Sequence, residues 1–148
     1  MWSACGKLII KINKIKKYQR ISLLEERMKI SCGTDIIEIE RVKDSIERIG
    51  QKFLETIYTE KEITYCESKG AQKYQHYAAR FSAKEAIFKA ISSKLEKRYS
   101  WQDFEIINDE KGKPKVYLKT KIQEIEDIDI SISHCKEYAV ATVVVLYK

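Results

Sequence analysis

Beyond residue 28 the apolar and polar positions fall into a readable order. Residues 29–36 alternate as a strand does and run into a polar turn at Thr34 and Asp35. Ile39, Val42, Ile46 and Ile49 then recur at helical spacing, and Gly50 supplies the stop signal. A short apolar segment follows at Phe53, Leu54, Ile57 and Tyr58. Thr59 and Glu62 have the spacing of a capping box and predict a helix to about Ser68, ended by Gly70. The longest periodic stretch covers residues 73–97. Its large apolar positions are Tyr77, Phe81, Ile87, Phe88 and Ile91, with Ala78, Ala79, Ala83, Ala86 and Ala90 between them. So many small residues predict a helix lying close against a sheet. Residues 104–107 and 115–118 read as strands of a hairpin around the loop 108–114. Two more strands are expected at 129–133 and 138–146, with His134 in the loop between them. The β-branched run 140–145 reads as a buried strand. A strand, then helices, then three or four strands make an α+β fold.

The charge is informative only by its placement. The net charge is +6, but seven of the 28 basic residues and two of the 22 acidic ones lie in 1–27. Residues 28–148 keep 21 against 20, so the domain proper is near neutral. A nucleic-acid binder carries its positive charge on the folded surface, so that class is set aside. Residues 1–27 are Lys/Ile-rich and read as an N-terminal extension, disordered or a start-site artefact, with Met28 as the true start. The codons for Leu24, Glu25 and Glu26 can spell a purine-rich ribosome-binding sequence just upstream of it. The four cysteines form neither a CxxC pair nor a zinc-finger pattern with the two histidines. Free thiols favour a reducing compartment, the cytoplasm. The early apolar run at 8–10 is too short for a signal core or a membrane span, so no membrane association is expected.

Three polar segments sit at the ends of apolar elements: 33–41 (GTDIIEIER), 80–90 (RFSAKEAIFKA) and 130–134 (ISISH). Read alone, Asp35 is a turn residue or helix cap, and Glu85 is a solvated residue in an i,i+4 ion pair with Lys89. In this order and with these separations, the three segments resemble the holo-acyl-carrier-protein synthase family of phosphopantetheinyl transferases. The resemblance extends over residues 28–148, and the Lys84-Glu85-Ala86 to Lys89-Ala90 segment is its most specific part.

The resemblance implies the family fold, an antiparallel-type sheet packed on a long helix, and assembly as a homotrimer with sites between subunits. It implies transfer of 4′-phosphopantetheine from coenzyme A to a serine of apo-acyl carrier protein, giving 3′,5′-ADP, in support of fatty acid biosynthesis. Asp35 and Glu85 match the family's metal ligands, for Mg²⁺ with Mn²⁺ as the alternative. A site handling a pyrophosphate suits such an ion, which takes one or two carboxylates and completes its shell with phosphate oxygens and water. Asp35, Glu85 and Lys89 are the catalytic candidates. Arg80, Lys84, Lys89, Gly112, Lys113, Pro114 and His134 are the candidates for binding coenzyme A. One of the two lysines, 84 or 89, is open to a merely solvated role, since five residues apart they cannot share one helix face. His76 matches nothing and is read as an ordinary helix residue. The base for the carrier serine is either Glu85 or a metal-bound water. Arg41 and Arg48 would meet the acidic carrier protein, while Lys43 and Lys52 read as solvated. Two departures stand out: Thr56 lies near a point where the family often has a basic residue, and Ile91-Ser92-Ser93 replaces a stretch that is often glycine-bearing.

Overall fold

The structure is a computed structural model that describes residues 29–92 and 97–148. The N-terminal extension expected over 1–27, and Met28, lie outside the described residues. β1 (Lys29–Glu38) pairs antiparallel along its whole length with β5 (Tyr138–Tyr147), and β5 pairs with β4 (Ile125–His134). The sheet order is β1-β5-β4. β1 does not end in a turn at Asp35. Its pairing continues to Glu38 opposite Tyr138, and the Ile39 N–H then donates to the Glu137 carbonyl at 2.8 Å, so strand passes directly into helix. His134 likewise is the last residue of β4, opposite Ala139, and not part of the loop.

α1 (Ile39–Ile49) ends at Gly50, which takes φ 72°, a conformation that costs glycine little. α2 (Gln51–Ile57) follows at once. α3 (Glu60–Glu67) starts at Thr59 with both halves of the capping box formed. α4 (Lys73–Ile91) is the long helix. β2 (Phe104–Asn108) and β3 (Pro114–Leu118) form a separate two-stranded hairpin.

α4 is buried on two sides. One side meets the three-stranded sheet, where Ala83, Ala86, Ile87, Ala90, Val143 and Val145 form a core with Phe104 and Ile106 of the hairpin. The other side meets α1–α3 through Val42, Leu54, Tyr58, Cys66, Tyr77 and Ala78. The alanines let helix and sheet approach closely, and Gly33 completes the fit. A Cβ on Gly33 would stand 2.0 Å from the Ala86 carbonyl oxygen and 2.7 Å from the Ala90 nitrogen. β5 is not buried on both faces as its β-branched run had implied. Its odd-numbered residues from Ala139 to Tyr147 face the core, while Thr142 and Val144 are exposed, because no element of the described chain covers the outer face of the sheet.

Gly33→Ala is expected to cost about 1–3 kcal/mol or more, since the obstacle is helix backbone and not a movable side chain. Urea denaturation measures this. A midpoint and slope equal to those of the parent would show that the β1–α4 contact yields freely.

Candidate active site

Asp35 follows Gly33 by two residues and therefore lies on the same face of β1, the face turned to α4. Ser82 on α4 donates its hydroxyl to the Asp35 carbonyl at 2.7 Å. Lys89, in the last turn of α4, donates to Asp35 Oδ1 at 2.8 Å and to the Thr34 carbonyl at 3.0 Å. The i,i+4 pair of Glu85 with Lys89 is thus not the one formed: Lys89 reaches across to β1. Glu85 is half-buried and lines, with Asp35, Arg41, Phe53 and Phe81, a groove of about 340 Å³. Burial pushes the Glu85 carboxyl above the usual range, the Asp35 charge pushes it further, and Lys89 only partly offsets both. The hydrogen bond to Asp35 in turn raises Lys89, so it is a firm cation.

Two carboxylates therefore share one groove, with Arg41 in its lining and Lys89 paired to Asp35. The Asp35 charge acts directly on Glu85, and two such carboxylates suffice for a divalent ion that draws its remaining ligands from phosphate and water. No cluster of three or more His, Cys, Asp or Glu side chains with metal-site geometry occurs among the described residues, so this is no closed protein cage.

A second cleft lies on another side of α4. Arg80 and Glu85 are five residues apart, about 140° around the helix axis. Arg80 is buried at 2% exposure. Its guanidinium donates to the Ile106 carbonyl at 3.2 Å, to Asn108 Oδ1 at 3.0 Å and to the His76 carbonyl at 3.4 Å, and it lies 4.1 Å from the centre of the Tyr65 ring. The cleft is lined by Tyr65, His76, Arg80, Asn108, Gly112, Pro114 and His134, together with Ala79 and Ile132. The His76 and His134 rings lie 6.2 Å apart. Burial lowers His76, and the charges of Arg80, Lys69 and His134 add to it. With an arginine, two histidines and no carboxylate in its lining, the cleft suits an anion.

Of the sequence candidates, Arg80, Gly112, Pro114 and His134 meet in this cleft, and Asp35, Glu85 and Lys89 meet in the groove. Lys113 stands apart from both, paired with Asp129 at 3.0 Å on the surface. Lys84 is the correction. It is neither a phosphate ligand nor solvated: it is fully buried, and its ammonium is shared among Glu62 Oε2 and the Trp101 and Phe104 carbonyls, each at 2.8 Å. No proton is left for a ligand. Arg41 borders the groove, and Arg48 lies seven residues further along α1 on a surface strip that also carries Asp44 and Glu47. Lys43 is tied to Glu40 at 2.8 Å on the exposed side.

His76, Tyr65 and Asn108 also line the cleft, and the i,i+4 spacing of His76 and Arg80 is the signal of this in the sequence. Glu62 is more than the cap its spacing predicts, since it also holds Lys84.

The model of the 4′-phosphopantetheinyl transferase superfamily matches residues 31–143. The holo-[acyl-carrier-protein] synthase of Ruminiclostridium cellulolyticum is 48% identical over 124 residues, covering 80% of this chain and 92% of its own. That of Chloroherpeton thalassium is 43% identical over 118 residues, covering 78% and 97%. Among solved structures, a holo-(acyl-carrier-protein) synthase from Bacillus anthracis in complex with CoA (3′,5′-ADP) superposes with a TM-score of 0.69 at 38% identity, covering 82% of this chain and 99% of that one. The Helicobacter pylori holo-[acyl-carrier-protein] synthase in complex with coenzyme A gives 0.68 at 32% identity, covering 77% and 98%.

The raised carboxyl of Glu85 has a consequence for stability. The folded chain holds this proton more tightly than the unfolded one, so stability falls as pH rises from the ordinary glutamate value through the raised one. Above that window the cost of the charge is fully present. In chelator, Glu85→Gln should melt at a higher temperature than the parent at pH 7, with the gap closing toward pH 4. A variant less stable at pH 7 than at pH 4, relative to the parent, would mean that the carboxylate is held by favourable partners.

Proposed function

The chain belongs to the 4′-phosphopantetheinyl transferase superfamily, and from that membership we propose that it transfers 4′-phosphopantetheine from coenzyme A to a serine of apo-acyl carrier protein, releasing 3′,5′-ADP. The carrier of fatty acid biosynthesis is the partner this reading takes. The observation that carries it is the meeting of Asp35, Glu85 and Lys89 in one groove, on a fold shared with two synthases solved with coenzyme A or its nucleotide product.

In this reading the serine oxygen attacks the phosphorus next to pantetheine, and the bond from that phosphorus to the nucleotide's bridging oxygen breaks. Negative charge grows on the leaving phosphate, and Lys89 lies within reach of it as a cation. Asp35 and Glu85 would hold Mg²⁺, which when bound offsets pyrophosphate charge. Glu85, a half-buried carboxylate in the same groove, is the candidate base for the proton leaving the serine. Arg80, His76 and His134 would hold a phosphate of the nucleotide end, and Gly112 and Pro114 let that end approach the hairpin backbone. Arg41 and Arg48 would receive the acidic carrier protein. No described helix is long and apolar enough to cross a membrane, and the described cysteines are free. A cytosolic location agrees with both, and the transferase domain is taken as residues 28–148.

The same reading includes a homotrimer. Its support is the uncovered sheet face, on which Ile36 is 64% exposed, Ile30 62%, Val144 43% and Tyr138 40%. By strand alternation all four point away from α4, so they form one apolar face with Thr34 and Thr142 between them. Light scattering should give three chains per particle, and Val144→Lys should lower that number. A monodisperse monomer would reject the trimer.

The transfer is tested by intact mass of apo-acyl carrier protein incubated with this protein, coenzyme A and Mg²⁺. The expected result is a gain of one phosphopantetheine, abolished by chelator and by Asp35→Ala or Glu85→Ala. No gain on several carrier proteins, despite binding of coenzyme A, would make the chain a binder and not a transferase.

A further inference from the structure

Arg80 is buried and forms no ion pair among the described residues. Its partners are neutral: the Ile106 and His76 carbonyls, Asn108 Oδ1 and the Tyr65 ring. A buried charge without a counter-ion is costly, so a surround of neutral acceptors needs a reason. The three oxygens take one N–H each, from Nε, Nη1 and Nη2. One N–H on each terminal nitrogen is left for an anion in the cleft.

Asn108 differs from the other two acceptors. They are backbone carbonyls, already fixed by α4 and β2, whereas Asn108 offers a side chain. Its amide is held at both ends: Oδ1 accepts from Arg80 Nη2 at 3.0 Å, and Nδ2 donates to the Gly112 carbonyl at 2.8 Å. Turning the amide over would set donor against donor and acceptor against acceptor, so the network fixes its sense. The loop that carries Gly112 is itself braced. Asp109 Oδ1 accepts the Lys111 and Lys113 N–H groups at 2.9 Å each, and the Asp109 carbonyl accepts the Gly112 N–H at 2.9 Å. The loop therefore holds the amide, and the amide holds the fork of Arg80. Aspartate at 108 could accept from Arg80 equally well, but it would neutralise the guanidinium. Asparagine orients that group and leaves its charge for a ligand.

We propose that Asn108 is a positioning residue: it aims the charged fork of Arg80 at the 3′-phosphate on the nucleotide end of coenzyme A. This rests on the reading above, in which the cleft takes a phosphate of that end. Arg80, Asn108 and Gly112 all line this one cleft of one chain.

The test compares coenzyme A with dephospho-coenzyme A, which lacks that phosphate and is otherwise the same. Calorimetry on the full chain, without carrier protein, gives both affinities for the parent, Asn108→Ala and Asn108→Asp. The parent should prefer coenzyme A. In each variant that preference should shrink by about tenfold, the size of a lost hydrogen bond to a charged group, while affinity for dephospho-coenzyme A stays near the parent's. Equal losses for both ligands would mean that the loop has only loosened, and would overturn the proposal. So would a folded variant of either kind that keeps the parent's preference. If only one variant folds, it decides alone, and failure of both to fold assigns Asn108 to stability and also overturns the proposal. A parent that binds neither ligand, or both equally, rejects the phosphate reading of the cleft and the proposal with it. A preference in the parent that survives in the variants rejects the role of Asn108 alone.

Discussion

How closely α4 lies on β1 decides the rest of this molecule. The contact has no room for a side chain at residue 33, and two serines pin it at either end. Ser31 reaches from the strand to the Ala90 carbonyl at 2.6 Å, and Ser82 reaches from the helix to the Asp35 carbonyl at 2.7 Å. Ala90 is near the C-terminal end of α4, where carbonyls lack helical partners, and Tyr147 adds a second hydroxyl there at 3.3 Å. β1 is an edge of the sheet, so Ser82 and Lys89 can reach its backbone from the helix. With helix and strand locked in this way, the Asp35 carboxylate can only face Glu85 and Lys89. Packing by small residues thus becomes an electrostatic arrangement: Asp35 and Glu85, with Lys89 and Arg41 beside them, at the edge of a core.

Much of the fold was legible in the sequence, for reasons tied to particular residues. The capping box at Thr59 and Glu62 is a local interaction, and it formed as its spacing required. Ile39, Val42 and Ile46 are buried on one side of α1, as their period demands, and Gly50 ends it. Failures came where a distant partner decides. Asp35 looked like a turn residue because the polar run 33–35 hides ten residues of pairing with β5. His134 looked like a loop for the same reason, since its place in β4 depends on Ala139. Lys84 looked like a phosphate ligand because lysine is seldom buried. Only the fold discloses that Glu62 and two carbonyls wait for it.

The two clefts differ in their charge. The Arg80 cleft has an arginine, two histidines and no carboxylate in its lining, while the groove holds two carboxylates with Arg41 and Lys89 beside them. The helix that separates them is held by a buried ion pair, a device that gives directional bonding where apolar packing would allow sliding. Among the described residues the outer face of the sheet is uncovered and leaves Ile30, Ile36, Tyr138 and Val144 exposed.

The most direct test of the account is to locate the divalent ion. Mn²⁺ titrated into the isotopically labelled protein with coenzyme A bound will broaden the amide signals nearest to it. The account predicts broadening centred on Asp35 and Glu85, on strand and helix at once, and lost in Glu85→Gln. Broadening that leaves both residues untouched and gathers on other acids, such as those around Asp129, would contradict it.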